Sequence, residues 1–315
     1  MVNVFIDGSE GTTGLEIRER LSKHSGFKLL SIDPDKRKDI EERRKLLNAA
    51  DAVVLCLPDP AAKEAVALVT NPKVRIFDGS TAHRVAEGWV YGLPEILEEP
   101  SVLRTAPRVS VPGCHASGFL LAVTPLVRAG VIAPDALLSA HSLTGYSGGG
   151  KKRIAQYEDP ARAEYLSAPS LYSLSVKHKH LPEMRAWAGL KHAPAFTPII
   201  AGYYRGMVVS VPLHVAQLGV SGGAPAVHAA LAKAYDGRRF VRVLPYPATP
   251  ALEGEFQDLN TLGCNGTNRA DVFVFGEADH VVVSVRIDNL GKGASGACLQ
   301  CMNLAFGFAE DECLN

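Results

Sequence analysis

Apolar residues recur along the chain at two spacings. Val2 to Ile6, Lys28 to Ile32, Ala52 to Leu57 and Val74 to Phe77 are short runs rich in β-branched and leucine residues, and read as buried strands. Between them, Leu15, Ile17 and Leu21, then Ile40 to Leu47 and Ala61 to Val69, place apolar residues at helical spacing. Continuous apolar strands alternating with helices predict a parallel sheet covered on both faces. Loop-rich text from residue 78 to 96 leads to a further strand, Val109 to Val111. An apolar helix follows, ending near Gly130, with Pro134 blocking its continuation. From about Ala136 the strands lengthen: Ala136 to Thr144, Met207 to Val215, Asp271 to Gly276 and Val281 to Ile287. The last two flank Glu277-Ala278-Asp279-His280, which predicts an antiparallel hairpin. Asp288 to Gly296 then opens a small-residue helix reaching about Phe308. The predicted class is α/β, with a second α+β domain built on a mainly antiparallel sheet.

Composition narrows the partners. The 315 residues leave room for two domains with separate cores. Lys+Arg and Asp+Glu balance at 33 each without a long block of one sign, which argues against nucleic acid or a membrane surface and leaves a small anionic ligand open. Six cysteines over this length are no disulfide scaffold, so a reducing, cytoplasmic setting is expected. No signal-peptide pattern and no membrane-length apolar run is present in the sequence.

The candidate chemistry lies in the turns. Asp7-Gly8-Ser9-Glu10-Gly11-Thr12-Thr13-Gly14 joins the first strand to the first helix with G-x-x-G-x-x-G spacing. Such a turn lets a pyrophosphate approach the backbone and meet the positive end of a helix; it is also an ordinary tight turn. After the second strand, Asp33 suits a ribose hydroxyl, while Lys36-Arg37-Lys38 suits an added phosphate or a solvated helix start. Cys114, in Val111-Pro112-Gly113-Cys114-His115-Ala116-Ser117-Gly118, falls at the first turn of a helix. A thiolate is favoured there, and a small buried packing residue is the plainer alternative. His115 is expected to point away from that sulfur. Arg84, after Asp78-Gly79-Ser80, could grip a phosphate or carboxylate or lie on the surface. Gly145-Tyr146-Ser147-Gly148-Gly149-Gly150-Lys151-Lys152 reads as an anion loop or a hinge. His178 and His180, two apart, suit a metal poorly and an acid–base role for a distant cysteine better. Cys298-Leu299-Gln300-Cys301 has no second ligand pair and reads as packing, so no metal is expected.

Taken together, Gly8 to Gly14, Asp78 to Arg84, Tyr91-Gly92-Leu93-Pro94-Glu95, Pro112-Gly113-Cys114, Gly145 to Gly148, His178 to Glu183 and Asp288 to Gly296 resemble the N-acetyl-gamma-glutamyl-phosphate reductases, in particular their shorter second type. Departures from the longer type are His83, the Gly148-Gly149-Gly150-Lys151 run and Lys179 where an arginine stands between the histidines. The resemblance implies a Rossmann-like NADP-binding domain over 1–114 and 290–315, and a catalytic and oligomerisation α+β domain over 115–289. It implies a cysteine thioester on Cys114, with His180 and then His178 as acid–base. Cofactor contacts are implied for Gly8, Gly11, Thr12, Thr13, Gly14, Ser31, Lys36, Arg37, Asn289, Lys292 and Gly293. Substrate contacts are implied for Ser80, Arg84, Tyr146, Ser147 and Lys151. The implied substrate is a small acyl phosphate and the implied assembly a homodimer or homotetramer. Aspartate-semialdehyde dehydrogenase chemistry is the enzymatic alternative, and a non-catalytic NADP-binding redox sensor the other.

Overall fold

A computed structural model describes residues 1–247, 252–277 and 279–314. The chain divides into two compact units, one of Met1–Gly113 with Ala294–Asn315, the other of Cys114–Gly293.

The first unit is a six-stranded parallel sheet in the order β2-β1-β3-β4-β6-β5. Its strands are β1 (Val2–Asp7), β2 (Phe27–Leu30), β3 (Ala52–Leu55), β4 (Arg75–Asp78), β5 (Val90–Tyr91) and β6 (Arg108–Ser110). Helices α1 (Thr12–Ser22), α2 (Ile40–Ala49) and α3 (Asp59–Leu68) connect the first four strands. Each crossover is long enough for a parallel pair, as the alternating pattern requires. Phe5, Leu47, Val53, Leu55, Ala62, Ala65 and Ile76 fill the space between sheet and helices. The last helix of the chain, numbered α8 (Gly296–Phe306), belongs to this unit: Arg20 Nε donates to Ser295 Oγ at 3.1 Å, and His24 Nε2 pairs with Asn303 Oδ1 at 3.1 Å. Cys298 and Cys301 are fully buried in α8, and burial pushes the Cys298 thiol up, as packing residues behave.

The second unit is a seven-stranded sheet, β11-β12-β13-β10-β7-β9-β8. Its strands are β7 (Ser139–Gly145), β8 (Ser170–Leu171), β9 (Ala195–Ala201), β10 (Met207–His214), β11 (Val241–Val243), β12 (Ala270–Gly276) and β13 (His280–Ile287). Two pairings are parallel, β7 with β9 and β11 with β12, so the sheet is mixed around an antiparallel centre. The β12–β13 hairpin forms in register from Gly276↔Val281 to Ala270↔Ile287; Ala278 of its turn lies outside the described residues. Helix α4 (Cys114–Arg128) packs on this sheet so closely that a Cβ on Gly118 would stand 2.5 Å from Val209 Cγ2. Beside α4 runs α6 (Leu181–Ala188), and α7 (Gly223–Ala234) also packs on it. The run after Gly145, read as a loop or hinge, is a short 3-10 turn followed by a helix, α5 (Gly150–Glu158). No helix among the described residues is long and apolar enough to cross a membrane.

Candidate active site

In the second unit, the Pro-Gly turn delivers Cys114 as the first residue of α4, where the positive end of the helix dipole favours an anion. Gly293 backs it: a Cβ there would lie 2.6 Å from Cys114 Cβ and 3.1 Å from its Cα. The half-buried Cys114 therefore has the Gly293 backbone packed close against its Cα and Cβ. Residue 115 meets the paired histidines. The His115 ring is 5.2 Å from His178 and 5.5 Å from His180, centroid to centroid, while His178 and His180 are 4.7 Å apart. Helical geometry turns consecutive side chains apart, but the histidine segment comes to His115 from α6 and its lead-in.

That lead-in is held by its own hydrogen bonds. His180 N donates to His178 Nδ1 at 3.2 Å, Leu181 N to the His178 carbonyl at 3.1 Å, and Met184 N to the His180 carbonyl at 3.0 Å. Pro182 in the first turn of α6 suits a helix start, and Glu183 there complements its dipole. Upstream, Ser173 and Val176 both take left-handed backbone, at φ 54° and 56°. For a β-branched valine this is strained, and it folds the segment back so that Tyr172 and His178 lie 6.1 Å apart. His180 is buried, His178 half-buried and Lys179 exposed. His115 is pushed down to about 3 by burial, with His178 and Lys179 adding repulsion, so it is neutral. Burial raises the Tyr172 phenol, and the charge of Cys114 raises it further. Tyr172 and Ser142 had no local sequence signal; only the strand pairing and the folded-back segment bring them to His115.

The expected substrate residues fall in both units. Tyr146 stacks on Tyr157 at 4.7 Å and reaches Glu158 Oε1 at 3.4 Å through its hydroxyl. Ser147 is buried and accepts from Asn289 Nδ2 at 2.9 Å, while Asn289 Oδ1 accepts from Gly206 N at 2.9 Å. Asn289 therefore fixes the turn that presents Tyr146 and Ser147. Lys151 is exposed at the start of α5. Lys292 is buried with Nζ 5.6 Å from the Phe240 ring centroid. In the first unit, Ser80 donates from N and Oγ to Asp78, and His83 Nδ1 shares Asp78 Oδ2 at 2.6 Å while stacking on Trp89. Arg84 is buried, with Nε on the Val111 carbonyl and Nη2 on the Gly79 carbonyl, both at 3.0 Å.

The glycine turn fits a nucleotide. Gly8 has φ +86°, and a Cβ there would sit 2.5 Å from the Cys56 carbonyl; one on Gly14 would sit 2.6 Å from the Gly8 carbonyl. These two glycines close the turn. Gly11 has more room and caps α1 without a side-chain hydrogen bond. Thr12, the first residue of α1, has its Oγ1 buried without a hydrogen-bond partner among the described residues, at a helix N-terminus suited to phosphate. Arg37 lies 3.5 Å from Glu10 and so borders this turn, while Lys36 and Ser31 are exposed and Asp33 accepts from Asp35 N within its own turn. Among the described residues, no three His, Cys, Asp or Glu side chains cluster as metal ligands.

Residues 3–103 match the family model described as semialdehyde dehydrogenase, NAD binding domain, and residues 114–289 the one described as semialdehyde dehydrogenase, dimerisation domain. The chain is 42% identical over 316 residues to N-acetyl-gamma-glutamyl-phosphate reductase 2 of Nostoc sp., covering 98% of each. It is 43% identical over 306 residues to N-acetyl-gamma-glutamyl-phosphate reductase of Sinorhizobium fredii, covering 96% of this chain and 97% of that one. The solved aspartate semialdehyde dehydrogenase of Francisella tularensis shares its fold, with a TM-score of 0.72 at 11% identity over 96% of this chain and 99% of that one.

Proposed function

The chain belongs to the N-acetyl-gamma-glutamyl-phosphate reductases, and from that premise we propose how its own residues carry the reaction. The enzyme is an NAD(P)-dependent semialdehyde dehydrogenase that reduces N-acetyl-L-glutamyl 5-phosphate to N-acetyl-L-glutamate 5-semialdehyde and phosphate, in arginine biosynthesis. Cys114 is the nucleophile. Its sulfur bonds to the acyl carbon, the carbon–oxygen bond to phosphate breaks, and phosphate leaves with the electron pair. The acyl group then rests on Cys114 as a thioester. When bound, the reduced nicotinamide coenzyme supplies the hydride for that carbonyl. The carbon–sulfur bond breaks last, freeing the aldehyde and returning its electrons to sulfur. The N-terminus of α4 favours the sulfur anion at both ends of this sequence. His180, the buried ring of the pair, is the proton carrier, with His178 second.

What carries this reading is the gathering of three histidines at the start of the helix that begins with Cys114. Ser147, Tyr146 and Lys151 serve the substrate, the lysine as a point charge for a carboxylate or phosphate. Asn289 and Gly293 support Ser147 and Cys114, and Lys292 completes that segment; Ser80 and Arg84 shape the lead-in to the catalytic turn. The coenzyme is NADP: Gly8, Gly11, Thr12, Thr13 and Gly14 take its pyrophosphate, and Ser31, Lys36 and Arg37 its extra phosphate. The assembly is a homodimer or homotetramer paired through residues 114–289, in keeping with the matched dimerisation domain, and it works in the cytoplasm.

Turnover of N-acetylglutamate semialdehyde and of aspartate semialdehyde, each with phosphate and NADP, tests the substrate. Faster turnover of aspartate semialdehyde would overturn it. Cys114→Ser is expected to abolish turnover while NADP binding, read by fluorescence titration, survives; undiminished turnover would remove the nucleophile.

A further inference from the structure

We propose that His115 is a positioning residue, whose imidazole bridges Ser142 and Tyr172 and holds the Tyr172 hydroxyl as a hydrogen-bond donor at the start of the helix that Cys114 begins. The proposal rests on Cys114 carrying the acyl group. His115 Nδ1 lies 2.9 Å from Ser142 Oγ on β7, and His115 Nε2 lies 2.7 Å from the Tyr172 hydroxyl. Both ring nitrogens are engaged, so this histidine has no nitrogen left to trade protons with substrate. It is also neutral, with burial, His178 and Lys179 all opposing its protonation, and His180 packed beside it. Phe196, 5.3 Å away, closes another side of the ring.

Tyr172 is pinned at both ends. Its backbone N donates to the Pro198 carbonyl of β9 at 3.1 Å, just past the end of β8, and its hydroxyl meets His115. With Ser142 donating to Nδ1 and Nε2–H donating to the phenol oxygen, the phenol proton stays free to point at the reacting group. The phenol is raised by burial and by the charge of Cys114, so it keeps that proton throughout the working range. Negative charge develops on the acyl oxygen when sulfur adds, and again when hydride arrives. A fixed neutral donor held on the first turn of that helix would stabilise both moments without rearranging. No proton is transferred in this role.

The test is steady-state kinetics on the full enzyme with NADPH and acyl phosphate, comparing Tyr172→Phe, His115→Phe, His115→Gln and the Tyr172→Phe/His115→Phe double variant. Tyr172→Phe is expected to lower kcat about 100-fold with KM little changed. His115→Phe is expected to lose a similar factor, and the double variant to fall within about 3-fold of the worse single one. His115→Gln keeps a donor for the phenol oxygen and is expected to recover at least about 10-fold over His115→Phe. The limbs of its pH profile stay in place. Loss of a limb in His115→Gln, losses that multiply in the double variant, or full kcat in Tyr172→Phe would each overturn the proposal. Alkylation of Cys114 by iodoacetamide is expected to stay within about 3-fold in every variant, since the donor serves the acyl oxygen. A larger drop overturns it too. If His115→Phe fails to fold, Tyr172→Phe and His115→Gln decide alone. A wild-type enzyme unable to reduce the acyl phosphate would instead sink the reading of the reaction itself.

Discussion

A neutral His115 makes acid a probe of the site. An unfolded histidine titrates near 6.5, and the folded ring is pushed down to about 3 by burial first and then by His178 and Lys179. Between those values the unfolded chain holds a proton that the folded chain does not. Stability from this group is complete above about pH 6.5 and falls as the pH drops toward 3, by about 1.4 kcal/mol per pH unit for one proton. His115→Gln should flatten the stability–pH slope in that window by close to one proton, read by urea unfolding at several pH values; an unchanged slope would contradict the buried neutral ring. At this scale Cys114 was legible, because Pro112-Gly113 ahead of an apolar helix puts a thiol at a helix start. His115 was not. Neighbouring positions on a helix point apart by about 100°, and no local pattern says that Tyr172 and His178 fold back over the next residue.

Among the elements, α4 depends on two glycines of different meaning. At Gly118 an added methyl would drive into Val209 of β10, so Gly118→Ala should destabilise by about 1–3 kcal/mol, measured as a lowered unfolding midpoint. At Gly293 the methyl would press on Cys114 itself. Gly293→Ala should therefore cut kcat by about 10–100-fold through a misplaced sulfur, with NADP affinity unchanged in titration. A Gly293→Ala enzyme with normal kcat would show the cysteine to be free to adapt. Strands β1, β3 and β4 were readable as continuous apolar runs, since both faces of that sheet are covered. By contrast β9, with Pro198 inside it and Pro194 before it, carries the marks of a loop and becomes a strand only by pairing along β7. Helix α7 begins Gly223-Ala224-Pro225, also loop text, and forms because Ala224, Val227 and Leu231 are buried. The glycines before α5 likewise hid a helix whose next residues are ordinary helix formers.

For the molecule as a whole, a ligand that binds only the folded first unit raises its stability by mass action, about 2.7 kcal/mol at 100 times Kd. NADP should therefore lift the melting temperature in a concentration-dependent way, equally in wild type and in Cys114→Ser, by differential scanning fluorimetry. A shift seen only in wild type would tie the coenzyme to the cysteine. The division into units follows from which segments share a core, and here the two ends of the chain share one. Arg75 of β4 donates to the Leu103 and Ala106 carbonyls and also to Ala305, and Phe27 of β2 packs on Phe306 and Phe308. During synthesis the first 113 residues thus leave the ribosome without the helix that finishes them, while Cys114–Gly293 has every strand of its sheet in hand. The later-made unit is expected to mature first, and the earlier one to wait, an apolar flank of its sheet open, for the last 22 residues. A nascent chain arrested after Gly293 should resist protease over its second unit and be cut within its first. Cells making this enzyme would then rely on chaperones mainly for its first unit, and a frameshift just before Ala294 would damage the segment that was translated first.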